Sequence, residues 1–72
     1  MEHQVTAEYR AWFRELFTRL ATEAGARDPE LLGRQLHLLY DGAAQTARMD
    51  RDAAAADLVR TTAAALVDAA TR

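Results

Sequence analysis

The sequence predicts an all-α fold built from three antiparallel helices. Alanine, which has the highest intrinsic helix propensity, supplies 17 of the 72 residues, whereas the chain holds one proline and three glycines. Apolar residues recur at spacings of three and four in three successive segments, which is the period of a helix with a covered face. No segment has the alternation typical of a strand. Because the connectors between the segments are short, neighbouring helices should run antiparallel.

The first predicted helix runs from Val5 to Ala24. Its apolar face holds four of the five aromatic residues of the chain. The face consists of Val5, Tyr9, Trp12, Phe13, Leu16, Phe17, Leu20 and Ala24. A row of this kind favours a place in the core of the protein, and the alternative is the wall of a ligand cavity.

The second predicted helix covers residues 28–49 and is the element around which the chain is organised. Gly25 can end the first helix in a left-handed conformation. Asp28 can cap the second helix through its carboxylate, and Pro29 suits the first helical position because no N–H is needed there. This Asp-Pro pair marks the firmest helix boundary in the sequence.

Two apolar stripes along this helix predict that it is mostly buried. The first stripe consists of Leu32, Leu36, Leu39, Ala43 and Ala47, and the second consists of Leu31, Leu38, Gly42 and Met49. Gly42 lowers helix stability by about 1 kcal/mol relative to alanine, so we expect a close helix contact to offset that cost. On the flank, His37 and Asp41 are four residues apart, which favours a structural contact between them over a ligand site.

The third predicted helix covers residues 52–70, with Asp52 as its N-cap. Its apolar face is shallow and rich in alanine, which suits a helix that lies flat against other helices. This face consists of Ala55, Leu58, Val59, Thr62, Leu66, Val67 and Ala70.

The amount of apolar bulk predicts one domain that needs a partner. Of the 36 hydrophobic residues, 17 are alanine, so few large side chains are left to form a core. A single core in a chain of this size contributes only about 3–5 kcal/mol. Without cysteine, neither a disulfide nor a thiolate metal site can stabilise the fold. Association with a second copy is the remaining route.

Charge and motifs exclude several functional classes. The net charge is −2, and the nine basic residues are all arginines spread along the chain, so no basic stripe is available for direct contact with nucleic acid. No apolar run approaches the roughly 20 residues of a membrane span, and no signal peptide is recognisable, so we expect a soluble cytoplasmic chain. The sequence lacks a phosphate-binding loop, a nucleophile motif and metal-ligand spacing, since His3 is the only histidine besides His37. We therefore predict no enzymatic activity, no cofactor and no metal site.

Three successive pieces of sequence carry a family resemblance. They are an aromatic helix ending in EAG, the segment DPELLGRQLHLLYDGAAQTARM and the alanine-rich segment DAAAADLVRTTAAALVDAA. In this order, over residues 9–70, they resemble the C-terminal regulatory domain of the tetracycline-repressor (TetR) family of bacterial transcription regulators. Nothing in the sequence corresponds to the helix-turn-helix of that family, so the DNA-binding domain is absent and operator recognition is assigned to no residue. A fragment, a truncated product and a small independent protein remain open alternatives.

The resemblance implies a homodimer and an effector site. In that family the last two helices pair with their copies from a second subunit as a four-helix bundle, while preceding helices help to enclose an effector pocket. Carried over to this chain, the dimer interface consists of Leu32, Leu36, Leu39, Ala43, Ala47, Val59, Thr62 and Leu66. Which stripe of the central helix faces the partner stays open. The pocket for a small hydrophobic effector consists of Tyr9, Trp12, Phe13, Phe17, His37 and Tyr40.

The sequence thus predicts a dimerisation and partial effector-binding module of a TetR-like transcription regulator. One alternative is a small stand-alone helical protein that binds a hydrophobic small molecule. Another is a chain that pairs with a full-length regulator. Sedimentation, the fluorescence of Trp12 in the presence of hydrophobic compounds, and co-purification of a mixed dimer would distinguish these functions.

Overall fold

A computed structural model describes residues 2–72 of the chain, with side chains described from residue 7 onward. It contains three α-helices, which are α1 (Glu2–Glu23), α2 (Pro29–Asp50) and α3 (Ala55–Thr71). Over residues 2–72 there is no strand, and the prediction of an all-α fold with three helices is confirmed. Val5, which was expected on the apolar face of the first helix, lies outside the described side chains.

The connector between α1 and α2 is closed by hydrogen bonds that its sequence favours. Gly25 has a positive φ of 85°. Its N–H donates to the Thr22 carbonyl at 3.0 Å, while the N–H of Ala26 donates to the Ala21 carbonyl at 3.1 Å. This pair of bonds is the Schellman arrangement that glycine permits at a helix end. The chain then enters α2 at Asp28, whose carboxylate accepts a hydrogen bond from the backbone N–H of Leu31.

The connector between α2 and α3 is longer than predicted, and the expected N-cap lies outside the helix. Arg51 adopts a left-handed conformation with φ of 50° and ends α2. The carboxylate of Asp52 accepts a hydrogen bond from the N–H of Ala54 at 2.9 Å. It therefore closes a turn of its own, and α3 begins at Ala55, three residues later than the predicted start. Short aspartate side chains compete with the helix in this way because they bond the backbone two residues ahead.

Arg27 joins the first connector to the C-terminal end of α3. Its backbone N–H donates to the Ala70 carbonyl at 3.0 Å. Its guanidinium donates to the Ala69 carbonyl at 2.8 Å and also to the carbonyl of Arg72. The last carbonyls of a helix lack partners within the helix and carry partial negative charge, so a cation with several donors stabilises that end.

The three helices lie side by side in a single layer. The central helix α2 packs against both α1 and α3, whereas α1 and α3 scarcely meet. The smallest principal dimension is 13 Å, which is close to the diameter of one helix with its side chains. Both broad faces of the layer are therefore uncovered, and the expectation that α2 is mostly buried is wrong. Among its described residues only Leu32, Gly33 and His37 are buried.

The backbones of α1 and α2 approach each other closely at Gly33. A Cβ atom at this position would lie 2.6 Å from the Thr18 hydroxyl oxygen, 2.8 Å from its Cα and 2.9 Å from its backbone nitrogen. A side chain does not fit there, because the helix backbones themselves meet. The sequence assigned a close contact to Gly42 instead, but a Cβ at Gly42 would meet no atom within 4 Å. Nothing in the described chain offsets the helix cost of Gly42.

Candidate dimerisation and ligand-binding surfaces

Large apolar side chains of α2 and α3 project from one broad side of the layer. We call this surface the leucine face, and it consists of Leu31, Leu38, Gly42, Met49 and Leu58. Leu38 is 71% exposed and Met49 is 77% exposed, which are large fractions for apolar side chains of this size. Four of these five residues form the second stripe of the central helix. That stripe is thus open to solvent in the single chain.

A groove between α2 and α3 opens on the leucine face. Its volume is about 310 Å³. It is lined by Leu38, Leu39, Gly42, Ala43, Thr46, Ala55, Leu58, Val59 and Thr62. Large side chains therefore stand beside small ones, so that a side chain from another helix could pack between them.

The predicted interface residues are divided between the interior of the layer and its two sides. Leu32 is 1% exposed, so it packs within its own chain and presents no surface to a partner. Leu36 and Leu66 are half-buried. The other five residues line grooves between α2 and α3, with Leu39 and Thr62 on the leucine face, Ala47 on the opposite side, and Ala43 and Val59 shared by both sides.

Aromatic side chains of α1 and α2 gather on the other side of the layer. Leu38 and Tyr40 are two residues apart, which is a rotation of about 200° around a helix, so they point to opposite sides. We call the six residues predicted as an effector pocket the aromatic cluster. The structure brings all six together, and they are Tyr9, Trp12, Phe13, Phe17, His37 and Tyr40.

Phe13 occupies the centre of the aromatic cluster. Its ring centroid lies 4.9 Å from Tyr9 and 5.1 Å from Trp12, and both pairs meet edge to face. It also stacks on Tyr40 at 5.1 Å. Aromatic pairs in these geometries are favourable by about 0.5–1.5 kcal/mol each. Trp12 is nevertheless 55% exposed, so the cluster is an open surface in the single chain.

Beneath the cluster, an ion pair links α1 to α2. The guanidinium of Arg10 donates to a carboxylate oxygen of Asp41 at 2.7 Å. The same oxygen lies 3.8 Å from Nε2 of His37, which is too long for a hydrogen bond. His37 and Asp41 are therefore neighbours without a hydrogen bond between them, and Arg10 is the closer partner of Asp41. Both carboxylate and guanidinium are partly exposed, which limits their contribution to stability.

Sequence reasoning missed three residues that hold these surfaces in place, namely Arg10, Arg27 and Gly33. Arg10 lies 31 positions from its partner, and no local spacing rule identifies such a pair. Arg27 was placed in a connector, where its reach to the end of α3 depends on the fold. Gly33 does carry a signal, because a glycine inside an amphipathic helix usually has a packing reason.

Two further properties of the described residues concern metals and membranes. No three His, Cys, Asp or Glu side chains within residues 7–72 are arranged to hold a metal ion. No helix in the same part of the chain is long and apolar enough to span a bilayer.

Comparison with known proteins found no relative. No model of a protein family, no curated protein and no solved structure matches the chain.

Proposed function

We propose that this chain is a homodimerisation module in which α2 and α3 pair with their copies from a second chain as a four-helix bundle. Within each chain, the helices run antiparallel. The order of contacts between α1 and α2 supports this direction, since Arg10 contacts Asp41, Phe13 contacts Tyr40, and Thr18 lies against Gly33, so that partner numbers fall along α2 as they rise along α1.

The surface area of the single chain carries this proposal. The solvent-accessible area is 5640 Å². A folded monomer of 8.0 kDa is expected to expose about 4,450 Å², so this chain exposes about 1,200 Å² more. Its radius of gyration is likewise 13.3 Å, against about 11 Å for a compact chain of this length. A standard interface buries about 800 Å² per partner, so one dimer contact of standard size covers about two thirds of the excess.

The leucine face is the surface that best fits the second copy. In a two-fold dimer the same patch meets itself, so that Leu38 of each chain enters the groove between α2 and α3 of the other. Gly42 lies in that groove and leaves room for a close approach. A contact between chains at Gly42 explains why a residue unfavourable in a helix is placed where its own chain does not touch it.

We place this module in a transcription regulator of the TetR type, in agreement with the family resemblance of residues 9–70. The aromatic cluster then forms one wall of the effector site, on the side of the layer opposite the dimer contact. Operator binding belongs to a part of such a regulator that these 72 residues do not contain. The module itself acts by association and ligand binding, and we assign it no catalytic step.

Sedimentation of the wild-type chain and of two matched variants tests the dimer. Leu38→Glu places a charge on the leucine face, whereas Leu20→Glu places one on an exposed position of α1. We expect the wild type and Leu20→Glu to sediment as dimers at micromolar concentration. Leu38→Glu should weaken association tenfold or more, because its carboxylate would be buried without a partner. Equal behaviour of the two variants would contradict the assignment of the leucine face.

Binding of a hydrophobic effector is a second function that the aromatic cluster supports. Trp12 is the only tryptophan of the chain and belongs to this cluster, so its fluorescence reports directly on the site. We expect emission to shift with at least one member of a panel of apolar aromatic compounds, and Tyr40→Ala to weaken that response. If no compound changes the emission, the cluster is packing surface only.

A further inference from the structure

A polar groove lies between α1 and α2, on the side of the layer to which Leu38 projects. Its volume is about 510 Å³, which is in the range of small-molecule sites. It is lined by Arg10, Arg14, Glu30, Arg34, His37 and Leu38, and we call it the arginine groove. It is distinct from the groove between α2 and α3, with which it shares only Leu38.

Arginines from both helices border the arginine groove. Arg10 is held by Asp41, with which it forms an ion pair at 2.7 Å. Arg14 on α1 and Arg34 on α2 form no ion pair within the described side chains. Glu30 supplies one carboxylate to the same groove but forms no ion pair with either arginine. Two guanidinium groups on opposite walls therefore have donors that the chain itself does not engage, and guanidinium matches carboxylate and phosphate geometry.

His37 is a second and independent feature of the groove. Its side chain is 9% exposed and its ring stacks in parallel on Phe13, with an interplanar angle of 12°. The imidazole forms no hydrogen bond within the described residues, and its nitrogens are not sealed from solvent. An imidazole always carries at least one N–H. The groove thus offers a buried imidazole whose Nε2 lies 3.8 Å from the Asp41 carboxylate, beyond hydrogen-bond distance.

From these features we infer that the arginine groove binds a small organic anion through a carboxylate or phosphate group. The anionic group is held by Arg14 and Arg34 and accepts a hydrogen bond from His37. Glu30 disfavours ligands with several negative charges near the α2 N-terminus. All six lining residues belong to one chain, so the groove is complete without a second copy.

Two probes test this site and distinguish the two kinds of anion. Benzoate and inorganic phosphate are titrated separately into the isotope-labelled chain, at constant pH and ionic strength, while the backbone and imidazole signals of His37 are followed by NMR. Constant ionic strength matters because exposed charges respond to salt alone. The variants are Arg14→Gln and Arg34→Gln. Arg60→Gln is the matched control, since Arg60 is an exposed arginine on α3 paired with Asp57.

We expect a saturable shift of the His37 signals with at least one probe. Benzoate or phosphate, whichever binds more tightly, identifies the kind of anion. Loss of one charged hydrogen-bond donor should weaken binding about tenfold or more in Arg14→Gln and in Arg34→Gln, and Arg60→Gln should bind as the wild type does. Unchanged helix content by circular dichroism shows that the variants fold. The inference is overturned if neither probe gives a saturable shift, or if all three variants bind equally.

Discussion

Exchanging each of two glycines of α2 for alanine separates contacts within the chain from contacts between chains. Alanine is favoured over glycine in a helix by about 1 kcal/mol, so both substitutions gain the same intrinsic amount. At Gly33 the new Cβ would lie 2.8 Å from the Thr18 Cα and 2.9 Å from its nitrogen. These are backbone atoms, so α1 and α2 must separate. Overpacking of this kind costs about 1–3 kcal/mol.

Gly33→Ala should therefore lower the free energy of unfolding by up to about 2 kcal/mol after the helix gain is subtracted. At Gly42 the new Cβ meets no atom of its own chain within 4 Å. In a monomer Gly42→Ala would gain the full 1 kcal/mol or so, whereas in the proposed dimer the methyl group separates the two chains and weakens their association.

Urea unfolding at two protein concentrations measures both effects. Gly33→Ala should be less stable than the wild type at either concentration. Gly42→Ala should gain stability at low concentration and lose that advantage at high concentration, where the proposed dimer of the wild type forms. If Gly33→Ala is more stable than the wild type by about 1 kcal/mol, the full helix gain of alanine, the close approach of α1 and α2 is wrong. If Gly42→Ala is stabilised equally at both concentrations, Gly42 lies outside the interface.

Three other predictions concern single side chains and are measured by urea unfolding at one protein concentration. Arg27→Ala should lower the free energy of unfolding by about 1 kcal/mol, because the carbonyls at the end of α3 lose their donors. The exposed control Arg60→Ala should lower it by only a few tenths of a kcal/mol. Equal losses in the two variants would contradict the role of Arg27. Asp28→Ala should lower the free energy of unfolding by about 1 kcal/mol through loss of the N-cap. Asp28→Asn should keep most of the wild-type stability, because asparagine also caps helices. If Asp28→Asn is as unstable as Asp28→Ala, the capping role is wrong. Phe13→Ala should lower the free energy of unfolding by about 2–3 kcal/mol, because it removes the centre of the aromatic cluster. A loss below about 0.5 kcal/mol would show that the cluster does not pack as described.

The elements that the sequence predicted well depend on local chemistry. Asp28 and Pro29 begin α2 as expected, because capping involves a side chain and a backbone group only three residues apart. The six residues of the aromatic cluster were found because helical spacing places the four on α1 along one face, and His37 and Tyr40 lie on one flank of α2. Asp52 shows the limit of this reasoning, since the same side chain can cap a helix or close a turn.

The features that the sequence did not predict depend on how the helices are arranged. Gly33 and Gly42 look alike in sequence, and only the position of α1 decides that Gly33 is the crowded one. The two stripes of α2 likewise look equivalent, and only the arrangement of the neighbouring helices leaves Leu32 buried and Leu38 exposed. Arg10 and Arg27 find partners far along the chain, which no spacing rule reveals.

The central claim is that three helices in one layer leave an apolar face that a second copy covers. Sedimentation equilibrium of the wild-type chain over a range of micromolar concentrations tests it most directly. We predict a mass of about 16 kDa, twice the 8.0 kDa of the chain, that falls toward the monomer on dilution. A single species of 8.0 kDa across the whole range, with a melting temperature independent of concentration, would contradict the claim.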